Sequence, residues 1–381
     1  MPSKAARPTS PYQTDASNCA TSSPLWSLRF LALLGPIVLL TACSGRGSKG
    51  TGDEADISDS QSAEAGSTVS GIEADWSFSA TDASSSSDSP ASNTPDPPSA
   101  SIRLVDVHAQ AGITHTYQNG ANGAALISET IGAGCGWIDF DLDGRIDLFL
   151  NQAGTIPLQN GNAQPLDSLF RNLGSTGKQA AFVDNTSGSR IIEPGYSQGV
   201  AIADFDNDGF DDIYVTNLGE NRLWRNLGDG TFANVSAPSG TNDKAWGTSA
   251  AWADLDRDGD LDLYVCNYCD FDPADPISCL DREGRPTVCN PAELAPQPDA
   301  VFLNLGDGTF SAAAEQLGLQ GEGNRALGVA IADFTNDGLA DIYVANDTTE
   351  NFLFVNDGNG AFLDEATLRG CAVDRAGGPQ G

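Results

Sequence analysis

The sequence predicts an all-β fold, a β-propeller assembled from repeated four-stranded blades. Three observations predict it. From Gly134 onward the chain repeats one pattern four times, each copy alternates short apolar runs with Asp- and Gly-rich turns, and 42 glycines among 381 residues favour strands and turns over long helices.

The chain opens on a targeting pattern. Lys4, Arg7 and Arg29 precede the apolar stretch Phe30 to Leu40, which is short for a bilayer span and is interrupted by Gly35 and Pro36. It ends in "LTAC", which resembles a bacterial lipoprotein signal with Cys43 as the lipidated first residue. On that reading residues 1–42 are a signal peptide and the remainder is exported, lipid-anchored in the bacterial cell envelope at the outer membrane or cell surface. An uncleaved membrane anchor is the alternative, and it too exports the remainder. Residues 43–100 are rich in Ser, Gly, Asp, Ala and Pro, with too few apolar side chains to offset the entropy of ordering, and read as a disordered tether.

The propeller reading covers residues 101–381. Four segments share one outline: "GWIDFDLDGRIDLFLN" from Gly136, "VAIADFDNDGFDDIYVTN" from Val200, "AAWADLDRDGDLDLYVCN" from Ala250 and "VAIADFTNDGLADIYVAN" from Val329. Each is followed by a second pair of runs: "LFRNLG" at Leu169, "LWRNLGDGTF" at Leu223, "VFLNLGDGTF" at Val301 and "FLFVNDGNGAF" at Phe352. Asp229-Gly230, Asp307-Gly308 and Asn359-Gly360 are hairpin signals, because such turns need residues that tolerate positive φ. Each repeat thus reads as four antiparallel strands, a propeller blade. Insertions Gln152 to Ser168 and Cys266 to Asp299 fall between second and third strands, so antiparallel order places them on the face opposite the Asp loops.

Ahead of the first repeat, "RLVDVHAQAG" (Arg103 to Gly112) matches the fourth-strand segment "TFANVSAPSG" (Thr231 to Gly240). It reads as a spare fourth strand that closes a last blade, which removes an exposed sheet edge. That blade is expected beyond Gly381, so the four visible blades are read as part of a longer propeller with seven blades expected.

Within each repeat the spacing D-x-D-x-D-G-x-x-D carries chemistry. Alternate side chains of a tightly curled loop converge, and closely packed carboxylates repel one another unless a cation lies among them. Three loops are complete: Asp139, Asp141, Asp143 and Asp147; Asp204, Asp206, Asp208 and Asp212; Asp254, Asp256, Asp258 and Asp262. The seventh position offers a backbone carbonyl, from Arg145, Phe210 and Asp260. The fourth loop is weaker: Asp333, Asp337 and Asp341 remain, Leu339 holds the seventh position, and Thr335 replaces the second carboxylate. An all-oxygen, highly charged shell points to Ca2+, with three strong sites and one weaker. An EF-hand is excluded because its twelfth position needs Glu, where this chain has Leu150, Val215, Val265 and Val344.

These repeats resemble the FG-GAP and VCBS repeats of integrin-α-type propellers. From Ile102 to the end, "LVDVHAQAGITHTYQNG", "ETIGAGCGWIDFDLDGRIDLFLN" and "RNLGDGTF" are similar to bacterial proteins of the ASPIC/UnbV group, relatives of cartilage acidic protein. The resemblance implies structural calcium, ligand binding on the opposite face, and further blades leading to a C-terminal ASPIC/UnbV segment, which no part of this sequence matches.

With 52 acidic against 19 basic residues, the formal net charge of −33 argues against a nucleic-acid surface and against direct contact with anionic membranes, leaving a lipid anchor as the membrane link. In an exported chain Cys266, Cys269, Cys279 and Cys289 are candidates for two disulfides of unassigned pairing, a zinc site being the alternative. Cys135 and Cys371 are left as thiols or as partners in a longer protein. His108 and His115 are the only histidines, and neither lies near a convincing nucleophile. The sequence therefore reads as a non-catalytic adhesion or ligand-binding module for a protein or carbohydrate; a polysaccharide-acting enzyme or accessory domain on the same scaffold is the alternative.

Overall fold

The computed structural model describes residues 104–156, 166–176, 179–321 and 323–379, all within the compact unit Thr94–Gly381. The expected signal peptide 1–42, the lipidation residue Cys43 and the tether 43–100 lie outside the described residues.

Each repeat forms one antiparallel four-stranded sheet. The first holds β1 (Cys135–Ile138), β2 (Asp147–Leu150), β3 (Ser168–Thr176) and β4 (Gln179–Asp184). The second holds β5 (Ser197–Ala203), β6 (Asp212–Asn217), β7 (Gly219–Asn226) and β8 (Phe232–Asn234). The third takes β9 (Gly247–Ala253) and β10 (Asp262–Asn267), then, after a small hairpin of β11 (Cys279–Leu280) and β12 (Pro286–Thr287), β13 (Ala300–Asn304) and β14 (Phe310–Ala312). The fourth holds β15 (Ala326–Ala332), β16 (Asp341–Asn346), β17 (Phe352–Asn356) and β18 (Phe362–Asp364).

The sheets pack face to face in chain order. Ile138, Phe149 and Leu169 meet Ile213, Val215 and Trp224 between the first and second. Tyr214 and Leu223 meet Leu263, Val265 and Phe302 between the second and third. Tyr264, Val301 and Leu303 meet Ile342, Val344 and Phe354 between the third and fourth. Both faces of β6 and β10 are therefore covered, which is why "DIYVTN" and "DLYVCN" are buried at every position and do not alternate. The first strands β1, β5, β9 and β15 lie side by side, as the inner strands of propeller blades would. Gly199 permits that approach: a Cβ there would stand 2.6 Å from the Thr248 carbonyl oxygen.

A polar clasp crosses each interface as well. Asn226 Nδ2 donates to the Phe140 carbonyl of the preceding sheet at 2.9 Å, and Asn304 Nδ2 to the Phe205 carbonyl at 2.8 Å. Asn356 Nδ2 reaches the Leu255 carbonyl at 3.4 Å. The Oδ1 atoms of the same side chains accept from Gly228, Gly306 and Gly358 in their own hairpin turns, so one residue shapes the turn and ties it to its neighbour.

One-turn helices follow the fourth strands: α2 (Thr186–Ser189), α3 (Ser236–Ser239), α4 (Ala314–Leu317) and α5 (Ala366–Arg369). A further turn, α1 (His108–Ala111), precedes the first sheet. Gly318 ends α4 at φ 76°, and a Cβ there would meet the Phe362 carbonyl of the next sheet at 2.9 Å. Gly112 after α1 stands in the same relation to the Phe182 carbonyl of the first sheet, 2.5 Å from a built Cβ. The turn thus occupies the place of one belonging to a preceding sheet. The strand expected before it is not formed: residues 104–107 carry no strand, and Leu104 is 89% exposed. A strand needs a ladder partner, and each four-stranded sheet already has its fourth strand.

The cysteine expectation is also corrected. Cys279 pairs with Cys289 across the β11–β12 hairpin, but Cys266 and Cys269 are buried free thiols. Cys266, inside β10, packs between the third and fourth sheets, whereas Cys269, past the end of that strand and bridged to Pro296, packs in a separate apolar cluster.

Replacing Asn304 with Ala removes the clasp and leaves the Phe205 carbonyl without that donor; the expected loss is about 1–3 kcal/mol in urea unfolding, and an unaltered midpoint and slope would refute the clasp.

Candidate metal centres

Each Asp loop joins the first and second strands of its sheet, and its shape follows from where its carboxylates find donors. At position 1, Asp139 accepts from the backbone N–H groups of Asp143 (3.0 Å) and Gly144 (2.9 Å), and Asp204 from those of Asp208 (3.0 Å) and Gly209 (2.8 Å). The curl requires positive φ at position 6, where Gly144, Gly209, Gly259 and Gly338 lie between 80° and 99°. Position 4 also takes positive φ, at Leu142, Asn207, Arg257 and Asn336, a strain that the motif spacing does not announce.

The last aspartate of each loop is the anchor. Asp212 is fully buried; its Oδ1 accepts the Asn226 N–H at 2.7 Å and its Oδ2 the Phe205 N–H at 3.1 Å. Asp262 does the same with Asn304 at 2.9 Å and Leu255 at 2.8 Å, Asp147 with Asn172 at 2.6 Å and Phe140 at 3.3 Å, and Asp341 with Asn356 and Phe334, both at 3.0 Å. Burial pushes the Asp147 and Asp262 carboxyls up to about 6 and that of Asp212 to about 8, against backbone N–H groups that pull them down.

Around each anchor the carboxylates at positions 1 and 3 close in. Ligand oxygens of Asp139, Asp141 and Asp147 lie within 4.8 Å of one another, as do those of Asp204, Asp206 and Asp212 and of Asp254, Asp256 and Asp262. The fifth-position residues Asp143, Asp208 and Asp258 fall outside these groups; each accepts the backbone N–H of the seventh residue, Arg145, Phe210 or Asp260. In the fourth loop Asp337 likewise accepts from Leu339, Asp333 accepts from Asp337 and Gly338, and Thr335 leaves two carboxylates where the other loops gather three. Asp141 Oδ1, Asp206 Oδ1 and Asp254 Oδ1 are buried and meet no hydrogen-bond donor. Unpartnered anionic oxygens beside two further carboxylates fit a hard metal ion.

Arg171, Arg225 and the third-strand asparagines were not anticipated as parts of the site, and Arg145 was expected there only for its backbone carbonyl. The recurring "RN" and "LN" of the third strands were the available signal for the asparagines. Arg171 Nη2 stands 2.5 Å from Asp141 and 3.1 Å from Asp143, and Arg145 also pairs with Asp143. Arg225 reaches Asp206 at 2.5 Å and Asp208 at 3.0 Å.

Comparison with known families finds FG-GAP-like repeats over residues 139–215, 204–265 and 292–344, so the Asp loops lie within repeats of that kind. No curated protein sequence matches the chain. Among solved structures, a similarity of 22% identity is found to an Agrocybe aegerita lectin described for specific recognition of non-reducing terminal N-acetylglucosamine, covering 60% of this chain and 64% of that one at a TM-score of 0.27. Another, at 14% identity, is to the Photorhabdus luminescens Tc holotoxin pore, covering 62% of this chain and 9% of that one at a TM-score of 0.25.

At the opposite end of the strands lies a second recurring polar device. Asn221 and Asn351 accept the N–H of Asn217 (2.7 Å) and Asn346 (2.8 Å), closing the turn from second to third strand. Asp167 and Asp299 stand in the same place in the other two sheets; Asp299 accepts the Asn267 N–H at 2.8 Å and the Tyr264 hydroxyl at 2.7 Å. Asp167 is buried near Glu193, whose Oε2 accepts the Trp224 indole N–H at 3.1 Å, so neither carboxyl is open to a substrate.

Burial raises the Asp299 carboxyl to about 7, against the Asn267 and Tyr264 donors. A carboxyl whose pKa is higher folded than unfolded contributes stability below about pH 4 that is lost as pH rises through about 7. Asp299→Asn, the residue two sister sheets use, removes that dependence. Between about pH 5 and about pH 8 the parent should lose up to about 3 kcal/mol more than the variant, and parallel stability profiles would refute the assignment.

Proposed function

We propose that this chain is a non-catalytic, calcium-stabilised β-propeller module, displayed from the bacterial envelope on a tether anchored at Cys43, that binds a protein or carbohydrate through its inserted loops. The observation that carries the reading is the threefold recurrence of carboxylate oxygens within 4.8 Å of one another, each group including a buried aspartate. All donors are hard oxygens, and loops of this flexibility and charge suit Ca2+ better than Mg2+, which demands a tighter octahedron and keeps its waters. The residues that would hold it are Asp139, Asp141 and Asp147; Asp204, Asp206 and Asp212; Asp254, Asp256 and Asp262. The bound ion would supply charge neutralisation, and the aspartates would orient the strand junctions.

The inserted loops support the second half of the reading. Their bases pack with the segment ahead of the first sheet: Tyr117, Leu126 and Ile127 meet Ile156 of the first insertion and Tyr268, Phe271 and Leu294 of the second. The disulfide-closed hairpin of the second insertion exposes Leu280, and Ile277 is exposed just ahead of Cys279, apolar side chains of the kind that ligands engage.

Calcium at about 1 mM should raise the melting temperature above that in chelator, since extracellular modules bind in about the 0.1–1 mM range. Equal melting curves would refute structural calcium. A protein and glycan binding panel, read for both capture and turnover, separates the binding module from the enzyme: turnover of any glycan would overturn the non-catalytic assignment.

A further inference from the structure

The three complete loops differ in the cations that surround them. In the first sheet Arg171, one residue ahead of the third-strand asparagine, lies 2.5 Å from the Asp141 carboxylate and 3.1 Å from that of Asp143, and Arg145 adds a second guanidinium at Asp143. In the second, Arg225 holds the equivalent place, 2.5 Å from Asp206 and 3.0 Å from Asp208. In the third, that place is taken by Leu303, which packs into the apolar layer, and among the described residues no ion pair reaches Asp254, Asp256, Asp258 or Asp262. There the seventh residue is Asp260, a fifth carboxylate, tied to the second loop by Asn207 Nδ2 at 3.0 Å.

The carboxylate at position 3 is divided between two roles. Asp141 Oδ2 and Asp206 Oδ2 face the guanidinium, while the Oδ1 of each is buried without a donor and belongs to the side chain that closes on positions 1 and 9. The arginine therefore stands behind the carboxylate and leaves its inner oxygen free for a metal. From there its positive charge acts on the site in two ways. It lowers the repulsion among the aspartates when no metal is present, and it repels a divalent ion from the same carboxylates.

We propose that Arg171 and Arg225 are built-in counter-cations that carry part of the metal's charge-neutralising role in the first two loops, so that the third loop binds calcium most tightly and depends on it most. Resting on the calcium reading above, this predicts filling in the order third, second, first: the second and third loops carry five carboxylates each, the second counting Asp211, and the first four, while among the described residues no guanidinium is ion-paired with the third loop, whose own Arg257 makes no ion pair, one is paired with the second, and two with the first.

Calorimetric titration of the full chain with CaCl2 at low ionic strength tests it, with Arg171→Gln, Arg225→Gln and Arg225→Lys alongside the parent. The parent should show one tighter class of site and at least one weaker. Each Gln variant should tighten one weak site roughly three- to tenfold, the scale expected for removing one charge several ångströms from a divalent ion in a largely solvated loop. Each should also melt lower than the parent in chelator, whereas the Lys variant, which keeps the charge, should bind within about twofold of the parent. Gln variants that bind calcium unchanged or more weakly would overturn the proposal and make the arginines ligand-positioning groups. A parent that takes up no calcium would overturn the calcium reading itself, a result visible before any variant is compared.

Discussion

The fold depends on a carboxylate that is buried and divalent in its hydrogen bonding. Asp147, Asp212, Asp262 and Asp341 each stand at the start of a second strand, with one oxygen on the N–H of the loop's second residue and the other on the N–H of the third-strand asparagine. One side chain thereby sets the curl of the loop and the spacing of the second and third strands. In the second, third and fourth sheets the asparagine it holds reaches on to the preceding sheet, so each of the first three loops is coupled to the next repeat by two hydrogen-bonded residues in series. Alternatives to aspartate at this position are few: a longer acid would not fit the buried site, and an amide would present an N–H to one of two donors.

Burying an anion is unfavourable, and the raised carboxyl at Asp212 expresses that cost. Backbone N–H groups offset part of it, and the nearby aspartates at positions 3 and 5 add to it by repulsion. The protein meets the resulting charge density differently in each repeat. The first two sheets bring arginines to the loop from the third strand, the third brings none and has a fifth carboxylate in Asp260 as the second has in Asp211, and the fourth lowers the charge by replacing one aspartate with Thr335. Four loops of one outline therefore span a graded series of electrostatic environments, with the strand scaffold unchanged beneath them.

The two ends of the strands are built on different principles. At the Asp-loop end, order comes from carboxylates and turn glycines. At the other end, the insertions are drawn together by an apolar cluster in which Trp246 lies 5.0 Å from Tyr268 and 5.3 Å from Phe271, centroid to centroid, backed by the buried Arg325, which donates to the Leu294 carbonyl at 2.6 Å. The roots of the inserted loops are thus core, and accessible surface is found toward the hairpin that Cys279 and Cys289 close.

The sequence by itself determined the repeat, the four antiparallel strands of each copy, the Asp-loop positions and the faces to which loops and insertions go. These are local matters: short apolar runs bounded by turn residues, a glycine where φ must be positive, carboxylates at alternate positions of a curled turn. Only the tertiary structure decided which carboxylates come together. The fifth-position aspartates turned to the backbone and the ninth were buried, because burial depends on the neighbouring sheet. Tertiary structure also placed Cys266 and Cys269 in separate cores, left residues 104–107 outside any sheet, and brought Arg171 and Arg225 against loops more than a dozen residues away in the chain. Each of these outcomes rests on contacts between strands distant in sequence, whose energies no short stretch of residues contains.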